Sequence, residues 1–256
     1  MIDLHCHILP GIDDGPTTIE DSLVLARAAV AAGIATIVAT PHVNGRYPSR
    51  ADTIAQLVEE LNTRLRAEGI VLEVLPGAEI ALTHLAETAP GELERLGLGG
   101  GSWLLVEPPF ALMAVGLEDT VLRLLDSGHG VVLAHPERCP ALRRDRATVS
   151  SLAQAGVLMS ITAGSLLGRF GGEAQRFARD LARDGLIHNV TSDAHDDMRR
   201  PPGLTEAMQR AGLAPLADWL TQAVPGAILA DTEIPSRPAV AITSRRRGFG
   251  RWRPRG

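Results

Sequence analysis

The chain contains no lysine, only two cysteines, and 3% aromatic residues among its 256 positions. The cysteines, Cys6 and Cys139, are too few for a disulfide scaffold and favour reduced thiols. No apolar run approaches the roughly 20 residues that span a bilayer, and the N-terminus lacks the charged and apolar regions of a secretory signal. We therefore expect a cytoplasmic protein, and we interpret the absence of lysine as a coding bias.

Acidic residues are absent from the C-terminal end. From Ser236 onward there are seven arginines and no acid, so this segment carries +7 and the residues before it carry −12 of the total of −5. An acidic body argues against nucleic acid as a partner of the main domain. We predict one domain over 1–235, large enough to bury a full core, and a disordered Arg-rich tail over 236–256.

Predicted helices alternate with buried apolar runs along the domain, without an internal linker or repeat. After the short apolar lead at residues 1–4, we predict strands at 34–39, 70–75, 103–107, 130–135, 157–161 and 187–191. We predict helices from Thr17 or Thr18 to Gly33, and over 51–68, 117–127, 142–155, 173–184, 203–211 and 215–223. This alternation favours a parallel sheet with right-handed crossovers. About seven such units favour an α/β barrel over an open doubly wound sheet.

The opening stretch MIDLHCHILPGIDDG has the pattern of a metal site. His5 and His7 are two residues apart, so in a strand both imidazoles face the same side while Cys6 faces the other. Paired imidazoles at a strand end suit a divalent metal, and the carboxylate of Asp14 can extend the site. The neighbouring Asp13 is interpreted as a residue that stabilises the turn.

Further ligand types follow the C-terminal ends of the other predicted strands. They are His42, Glu79, Glu107, His135, Asp193 and His195. That end of the strands is where α/β barrels and open α/β sheets build active sites. Four carboxylates and five imidazoles could hold two or three divalent ions, and three ions would leave a charge of about +2, which suits a phosphate ester. Arg138 and Arg200 could add forked contacts to phosphate oxygens.

Three further histidines are not assigned to the predicted site. His84 and His129 are interpreted as surface residues on or beside helices, and His188, at the start of a strand, as a structural histidine. None of the three follows the C-terminal end of a predicted strand, which is the place that the candidate ligands share.

Six stretches taken together resemble the polymerase-and-histidinol-phosphatase (PHP) superfamily. They are MIDLHCHILPGIDDG, ATPH, PGAEI, VLAHPER, ITAGSLLGRFG and SDAH. They are most similar to the bacterial manganese-dependent tyrosine-protein phosphatases of capsule and exopolysaccharide operons. The resemblance runs from Met1 to about Ala230 with the motifs in the same order. The His-x-His pair alone is a weak signal, whereas the ordered set is highly specific.

The resemblance implies a distorted barrel of about seven β/α units that carries three divalent metal ions, manganese first, with iron or zinc as alternatives. The first ion would be held by His5, His7, Glu79 and Asp193. The second would be held by Glu79, Glu107 and His135, so that Glu79 bridges. The third would be held by Asp14, His42 and His195.

The resemblance also implies a reaction and a partner. A metal-bound hydroxide would attack phosphorus directly, without a phosphocysteine intermediate, while Arg138 and Arg200 contact the substrate phosphate. The implied substrate is the phosphotyrosine tail of a cognate bacterial tyrosine autokinase that controls polysaccharide polymerisation or export. The tail, with Phe249 and Trp252 among its arginines, could then contact anionic lipid or the acidic kinase tail.

Two positions depart from the family pattern, and both concern the substrate. Cys139 stands where a tyrosine commonly follows His-Pro-Glu-Arg, and Pro108 follows Glu107 where phenylalanine is usual. With few aromatic residues, we expect a weaker grip on a phenyl ring. Three alternatives therefore stay open: a small-molecule phosphatase such as one that cleaves histidinol phosphate, a metal-dependent amidohydrolase, and a non-catalytic regulatory domain.

Overall fold

The computed structural model describes residues 1–240. Most of the Arg-rich tail, including Phe249 and Trp252, lies outside the described residues, so its predicted disorder and contacts stay predictions. In the described part of the chain, none of the helices is both long and apolar enough to cross a bilayer.

Within residues 1–240, nine strands form two sheets in which every paired strand is parallel to its neighbour. They are β1 (Ile2–Cys6), β2 (Thr36–Ala39), β3 (His42–Val43), β4 (Glu73–Pro76), β5 (Glu79–Ala81), β6 (Trp103–Glu107), β7 (Gly130–Ala134), β8 (Leu158–Thr162) and β9 (Asn189–Thr191). One sheet has the order β1-β2-β4, and the other has the order β3-β5-β6-β7-β8-β9. Leu, Ile and Val occupy most of the buried positions of these strands, as is usual where helices cover a parallel sheet.

The strands β2 and β3 are consecutive pieces of one bent strand, as are β4 and β5. Thr40 and Pro41 interrupt the first, where proline has no N–H to donate to the ladder. The backbone N–H of Glu79 donates to the carbonyl of Pro41 at 3.1 Å, which continues the pairing from β2 and β4 into β3 and β5. The nine strands therefore occupy seven positions. This confirms the predicted α/β fold of about seven strand–helix units, with the strands divided between two parallel sheets and no single closed barrel sheet among the described residues.

The two sheets adjoin where the end of β9 lies beside β1. Cys6 and Ala194 form an isolated parallel bridge. The N–H of His7 donates to the carbonyl of Ala194 at 2.8 Å, and the N–H of Asp193 donates to the carbonyl of His5 at 2.9 Å. This seam fixes the backbone of three predicted ligands relative to one another.

In the described part of the chain, ten α-helices connect and cover the strands. They are α1 (Ile19–Ala31), α2 (Ala51–Ala67), α3 (Pro90–Arg95), α4 (Leu117–Asp126), α5 (Pro140–Arg144), α6 (Arg146–Gln154), α7 (Ala163–Leu167), α8 (Gly172–Arg183), α9 (Thr205–Ala211) and α10 (Val224–Leu229). Short 3₁₀ segments lie at Leu82–Glu87, Leu98–Gly100, Pro136–Arg138 and Ala214–Leu216, and a π-helical turn lies at Trp219–Ala223.

Side-chain caps begin two of the helices, α1 and α6, and one predicted helix is divided. Thr18 and Asp21 form a capping box at the start of α1, and Gly33 follows its end with a positive φ of 82°. The helix predicted over 142–155 is two helices, because Asp145 accepts a hydrogen bond from the N–H of Thr148 and starts α6 afresh.

Candidate metal centre

His5 and His7 form the starting point of the site on β1 and just beyond its end. Both side chains are fully buried, and their Nε2 atoms lie 3.2 Å apart. Cys6 faces away from them, with its Sγ 3.7 Å from the carbonyl of Ala194. The alternation predicted from the sequence is therefore present, and it directs two imidazole nitrogens at one point.

Glu79 lies at the centre of the cluster. Its Oε2 is 3.3 Å from Nε2 of both His5 and His7, and its Oε1 is 2.8 Å from Nε2 of His135. Glycine at position 77 permits this placement, because a Cβ there would lie 2.6 Å from Cγ1 of Val38. Without a side chain at that point, β4 can run into β5 close against β2 and carry the carboxylate inward.

Asp193 joins the histidines to the two predicted phosphate-binding arginines. Its Oδ1 is 3.4 Å from Nε2 of His5 and 3.5 Å from Nε2 of His7. Its Oδ2 is 2.7 Å from the Arg138 guanidinium and 2.6 Å from that of Arg200. Burial opposes the charged form, but the surrounding cations prevail and hold the pKa of the Asp193 carboxyl well below its usual range.

Two of these ligands have backbone conformations that residues other than glycine rarely adopt. His135 has a φ of 32° and Asp193 a φ of 52°. Such conformations cost of order 1–3 kcal/mol and persist where the surrounding structure imposes them, often at functional sites. Each residue directly follows or nearly follows a strand end, where the bend turns its side chain toward the cluster.

Asp14, His42 and His195 lie on the more accessible side of the cluster. Asp14 Oδ1 is 3.5 Å from Nε2 of His42 and 3.3 Å from Nε2 of His195. His7 approaches the same group, with its ring centroid 3.9 Å from that of His195. Asp14 is half-exposed, so solvent and substrate can reach this side of the cluster.

Glu107 completes the set of nine from the end of β6. Its Oε1 is 3.8 Å from Nε2 of His135, and its Oε2 is 4.0 Å from Nδ1 of His42. Burial, together with the neighbouring Glu79 carboxylate, raises the pKa of Glu107 to about 8. Burial and the Arg138 guanidinium lower the pKa of His135 to about 4. In a buried site, a nearby group of the same charge thus disfavours ionisation of a side chain, and a bound cation would favour ionisation of the carboxylates.

The structure brings all nine predicted ligands together, although they share contacts differently from the predicted grouping. Ligand atoms within 4.8 Å of one another form four groups: His5 with His7 and Asp193; His5 with Glu79 and His135; His42 with Glu79 and Glu107; and His7 with Asp14, His42 and His195. His7 thus also joins the third predicted set, and His42 lies with Glu79 and Glu107.

The cluster fits divalent metal ions, as its unpaired buried atoms show. Within residues 1–240, Nδ1 of His42, Oε2 of Glu79 and Nε2 of His195 make no hydrogen bond. Nevertheless the first two of these atoms lie 3.0 Å apart. Two such atoms that lie close together without a hydrogen bond can both direct a lone pair at the same cation. Without a cation, burying unpaired polar atoms costs free energy. Imidazole and carboxylate donors suit zinc, iron or manganese.

Two acidic residues support the site without belonging to the nine. Asp13 Oδ2 is 2.6 Å from Nδ1 of His7 and accepts the backbone N–H of His42 at 3.0 Å, while its Oδ1 accepts from Gly15 as a turn residue would. Carboxylates in this position orient a ligating imidazole. No motif of the sequence marks Asp3, although it shares the strand face of His5 and His7.

Asp3 ties β1 to the segment that carries Asp193. Its carboxylate accepts the N–H of Ser192 at 3.0 Å and the Ser192 hydroxyl, and burial raises the pKa of Asp3 to about 6. The i, i+2 spacing from His5 was the signal that could have identified it.

The remaining histidines lie outside the cluster, as expected. Nδ1 of His84 lies 3.1 Å from the carboxylate of Glu87, and Nδ1 of His188 accepts the N–H of Met159 at 3.1 Å. Neither these two nor His129 belongs to the groups of candidate ligands found within residues 1–240.

A family of known proteins matches most of this chain. The family described as "Capsular polysaccharide synthesis, CpsB/CapC" matches residues 1–212. The chain belongs to this family. Tyrosine-protein phosphatase YwqE of Bacillus subtilis is 40% identical over 209 residues, which cover 81% of this chain and 82% of YwqE. The putative tyrosine-protein phosphatase CapC of Staphylococcus aureus is 31% identical over 202 residues, covering 78% and 79% of the two chains.

Solved structures agree with the CpsB/CapC assignment. A structure from a study of Bacillus subtilis YwqE and Streptococcus pneumoniae CpsB, "unique metal-dependent tyrosine phosphatases", matches with a TM-score of 0.82 and 36% identity. The match covers 96% of this chain and 100% of the solved one. A 5-methylcytosine deaminase from Klebsiella pneumoniae matches with a TM-score of 0.53 at 14% identity, and this likeness concerns the fold alone.

Aromatic rings are scarce in this CpsB/CapC protein but gather at its site. Tyr47 stacks on His42 with ring centroids 5.9 Å apart, and Phe110 stacks on His135 at 5.5 Å. The Arg138 guanidinium carbon lies 4.8 Å from the Phe110 centroid and 4.4 Å from the Phe170 centroid. A low aromatic content therefore does not leave the mouth of the site without rings.

The two departures from the family pattern lie in one small region. The Cys139 thiol donates to the carbonyl of Pro109 at 3.2 Å, and the N–H of Ala141 donates to the carbonyl of Ala111 at 3.1 Å. These contacts hold the loop after Pro108 against the start of α5. Phe110, between the two anchored carbonyls, is directed over His135.

Proposed function

We propose that this protein is a metal-dependent tyrosine-protein phosphatase that hydrolyses phosphotyrosine monoesters. One observation carries the proposal: Asp193 directs one carboxylate oxygen at His5 and His7 and the other at two guanidinium groups. Candidate metal ligands and cationic forks for phosphoryl oxygens therefore share a single wall of the site. The kinship with YwqE and CapC supports the choice of phosphotyrosine.

We infer that the nine clustered side chains hold three divalent ions, manganese first, since iron and zinc also accept such nitrogen and oxygen donors. The ligands are His5, His7, Asp14, His42, Glu79, Glu107, His135, Asp193 and His195. Divalent ions in such a site lower the pKa of bound water and offset the charge of the phosphoryl oxygens. Glu79 is the proposed bridging ligand, because it approaches four imidazoles within 3.3 Å.

Arg138 and Arg200 are the proposed contacts to the substrate phosphate. A guanidinium presents two parallel donors that match two phosphoryl oxygens. Both are held in place by Asp193, and Arg138 is further restrained by the flanking rings of Phe110 and Phe170. An arginine fixed in this way loses little conformational freedom when it binds phosphate.

The cysteines support a route without a phosphocysteine. Cys6 is buried on the face of β1 opposite the ligands, and burial raises the pKa of its thiol well above the usual value. Cys139 is also buried, donates to the carbonyl of Pro109, and has a pKa raised by burial. A nucleophilic cysteine needs the opposite, a thiolate stabilised in an accessible and electropositive place.

The proposed cellular substrate is the phosphotyrosine tail of a bacterial tyrosine autokinase that regulates capsule or exopolysaccharide synthesis. The family description, which names capsular polysaccharide synthesis, supports this process. Such a tail would lie in the cytoplasm, which is the proposed location of this protein.

The deciding experiment compares a phosphotyrosine peptide with histidinol phosphate, using enzyme supplied with manganese and metal content measured on the same preparation. We expect about three metal ions per chain and a much higher kcat/KM for the peptide. Chelated enzyme that is reloaded with manganese provides the control, since its activity must return with the metal. A preference for histidinol phosphate would instead identify a small-molecule phosphatase. A metal-free, inactive preparation that stays inactive with manganese would identify a regulatory domain.

A further inference from the structure

A small cationic cavity adjoins the proposed phosphate site at Arg200 and Asp193. It has a volume of about 170 Å³, and Arg169, Arg199, Arg200, Phe170 and Asp193 line it. Arg200 and Asp193 thus belong both to this cavity and to the site already described. Any group in the cavity would lie directly beside a phosphoryl group held by Arg200.

Arg169 and Arg199 differ from Arg138 and Arg200 in their ion-pair partners. Arg138 and Arg200 each contact the Asp193 carboxylate within 2.7 Å. Arg169 and Arg199 are exposed, and within residues 1–240 neither has a carboxylate within 4.0 Å of its guanidinium. Their charge is therefore available to an anion that comes from outside.

Within residues 1–240, the acids nearest to Arg199 in sequence form no ion pair with its guanidinium, although its charge contributes to the lowered pKa of Asp196. Asp196 uses its Oδ1 to accept the backbone N–H groups of Met198, Arg199 and Arg200. Asp197 is exposed and makes no ion pair among the described residues. The loop thus orients two consecutive arginines, and one of them is left without a partner.

The positive charge of this cavity contrasts with the net charge of the rest of the protein. Residues 1–235 carry a formal charge of −12, so the body as a whole repels an acidic peptide. A preference for acidic peptides would therefore require a local attraction strong enough to overcome that field. Four arginines around one wall of the site are the feature of the described chain best placed to supply it.

We propose that Arg169 and Arg199 form a second anion subsite, which binds an oxyanion on a residue next to the phosphotyrosine of the same peptide. This inference rests on the proposed function. The oxyanion is either the carboxylate of a flanking Glu or Asp, or the phosphate of a second phosphotyrosine, because guanidinium forks match both. The small volume of the cavity favours such compact groups.

The test compares two phosphotyrosine peptides that differ only in their flanking residues, glutamate in one and glutamine in the other. For the wild-type enzyme loaded with manganese, we expect kcat/KM to be roughly five- to tenfold higher for the glutamate peptide, a modest gain because the arginines are exposed. In the double variant Arg169→Gln and Arg199→Gln the ratio should fall to near one. Arg123→Gln, an exposed arginine of α4, should keep the wild-type ratio.

Further peptides distinguish a specific subsite from non-specific electrostatic attraction of acidic peptides, and they identify the oxyanion that binds. A peptide whose glutamates lie six or more residues from the phosphotyrosine should gain little. A peptide with a second, adjacent phosphotyrosine should gain at least as much as the glutamate peptide if phosphate is preferred. Each single variant should lower the ratio of kcat/KM values in part. If circular dichroism shows that the double variant folds poorly, the single variants provide the test.

Two results would overturn the subsite. Equal kcat/KM for the glutamate and glutamine peptides in the wild type would do so while leaving the phosphatase activity established. An unchanged ratio in a folded double variant would do so as well. Failure of the enzyme to hydrolyse either peptide would overturn the proposed function, and the subsite with it.

Discussion

The floor of the site is almost completely buried, whereas much of its rim is open to solvent. The floor consists of His5, His7, Glu79, His135 and Asp193, each at most 2% exposed. The rim consists of Tyr47, Phe110, Phe170, Arg169 and Arg199, and Phe110 is 53% exposed. Floor residues lie on strands or within two residues of a strand end, while rim residues lie on loops.

This difference in burial separates two kinds of function. Each floor side chain contacts at least one other charged or polar group at 2.6 to 3.5 Å, so a change there leaves a buried partner unpaired. Each rim side chain meets solvent on one side, so a change there removes one contact with an incoming substrate. We therefore expect floor variants to lose metal and turnover, and rim variants to change KM and peptide preference.

The largest expected effect is that of Glu79→Gln. The amide keeps the shape of the side chain but removes the charge that faces four imidazoles. We expect at least one metal ion to be lost and kcat to fall by at least roughly a hundredfold, since even indirect partners of metal ligands are worth ten- to a hundredfold.

Metal analysis and phosphotyrosine-peptide kinetics on one preparation check this result. Glu60→Gln, on the exposed face of α2, is the matched control and should leave both quantities unchanged. A Glu79→Gln enzyme with full metal content and near-normal kcat would remove Glu79 from the proposed centre and weaken the distinction between floor and rim.

Phe110→Ala should have a smaller effect and a different one. Phe110 stacks on His135 and lies against the Arg138 guanidinium, so its exposed face can meet the phenyl ring of the substrate. Loss of an aromatic contact of about 1 kcal/mol should raise KM for a phosphotyrosine peptide about fivefold, with a smaller change in kcat.

A phosphoserine peptide distinguishes ring recognition from a general disturbance of the site. If the enzyme cleaves it measurably, Phe110→Ala should change its KM much less. Met113→Ala, at an exposed position of the same loop, serves as the control. An equal rise in KM for both peptides would show that Phe110 supports the floor rather than the substrate ring.

The same contrast explains what the sequence could predict. Parallel strands bring their C-terminal ends to one edge, so residues placed after successive strands must converge, and His42, Glu79 and His135 do. The sharing of ligands was less predictable, because it depends on side-chain reach and on local bends. His135 and Asp193 owe their directions to positive φ values that no residue pattern announces.

The rim was harder to predict, because loops carry no periodic signal. The sequence marked Cys139 and Pro108 as separate departures from a family pattern, and nothing in it indicated that the Cys139 thiol contacts Pro109 beside Phe110. Asp13 is the turn residue that the sequence predicts, but its contact with His7 depends on how the chain folds back on itself. Contacts of this kind follow from the tertiary structure alone.

The smallest expected effect concerns the anchor beneath the rim. Cys139→Ala removes the hydrogen bond from the thiol to the Pro109 carbonyl and leaves a small space in a buried position. We expect a loss of about 1 kcal/mol in the free energy of unfolding, measured by chemical denaturation. Because Phe110 keeps its own contacts, KM for the phosphotyrosine peptide should rise only about twofold, less than in Phe110→Ala.

Cys139→Ser tests whether the hydrogen bond or the volume matters, since a hydroxyl can still donate to the Pro109 carbonyl. If the bond positions the loop, the serine variant should keep the wild-type KM even where it is less stable. A KM in Cys139→Ala as high as in Phe110→Ala would mean that the anchor, and not the ring alone, sets the affinity for substrate. Burial would then no longer separate the two kinds of function, because the buried Cys139 side chain would determine how the exposed Phe110 ring binds substrate.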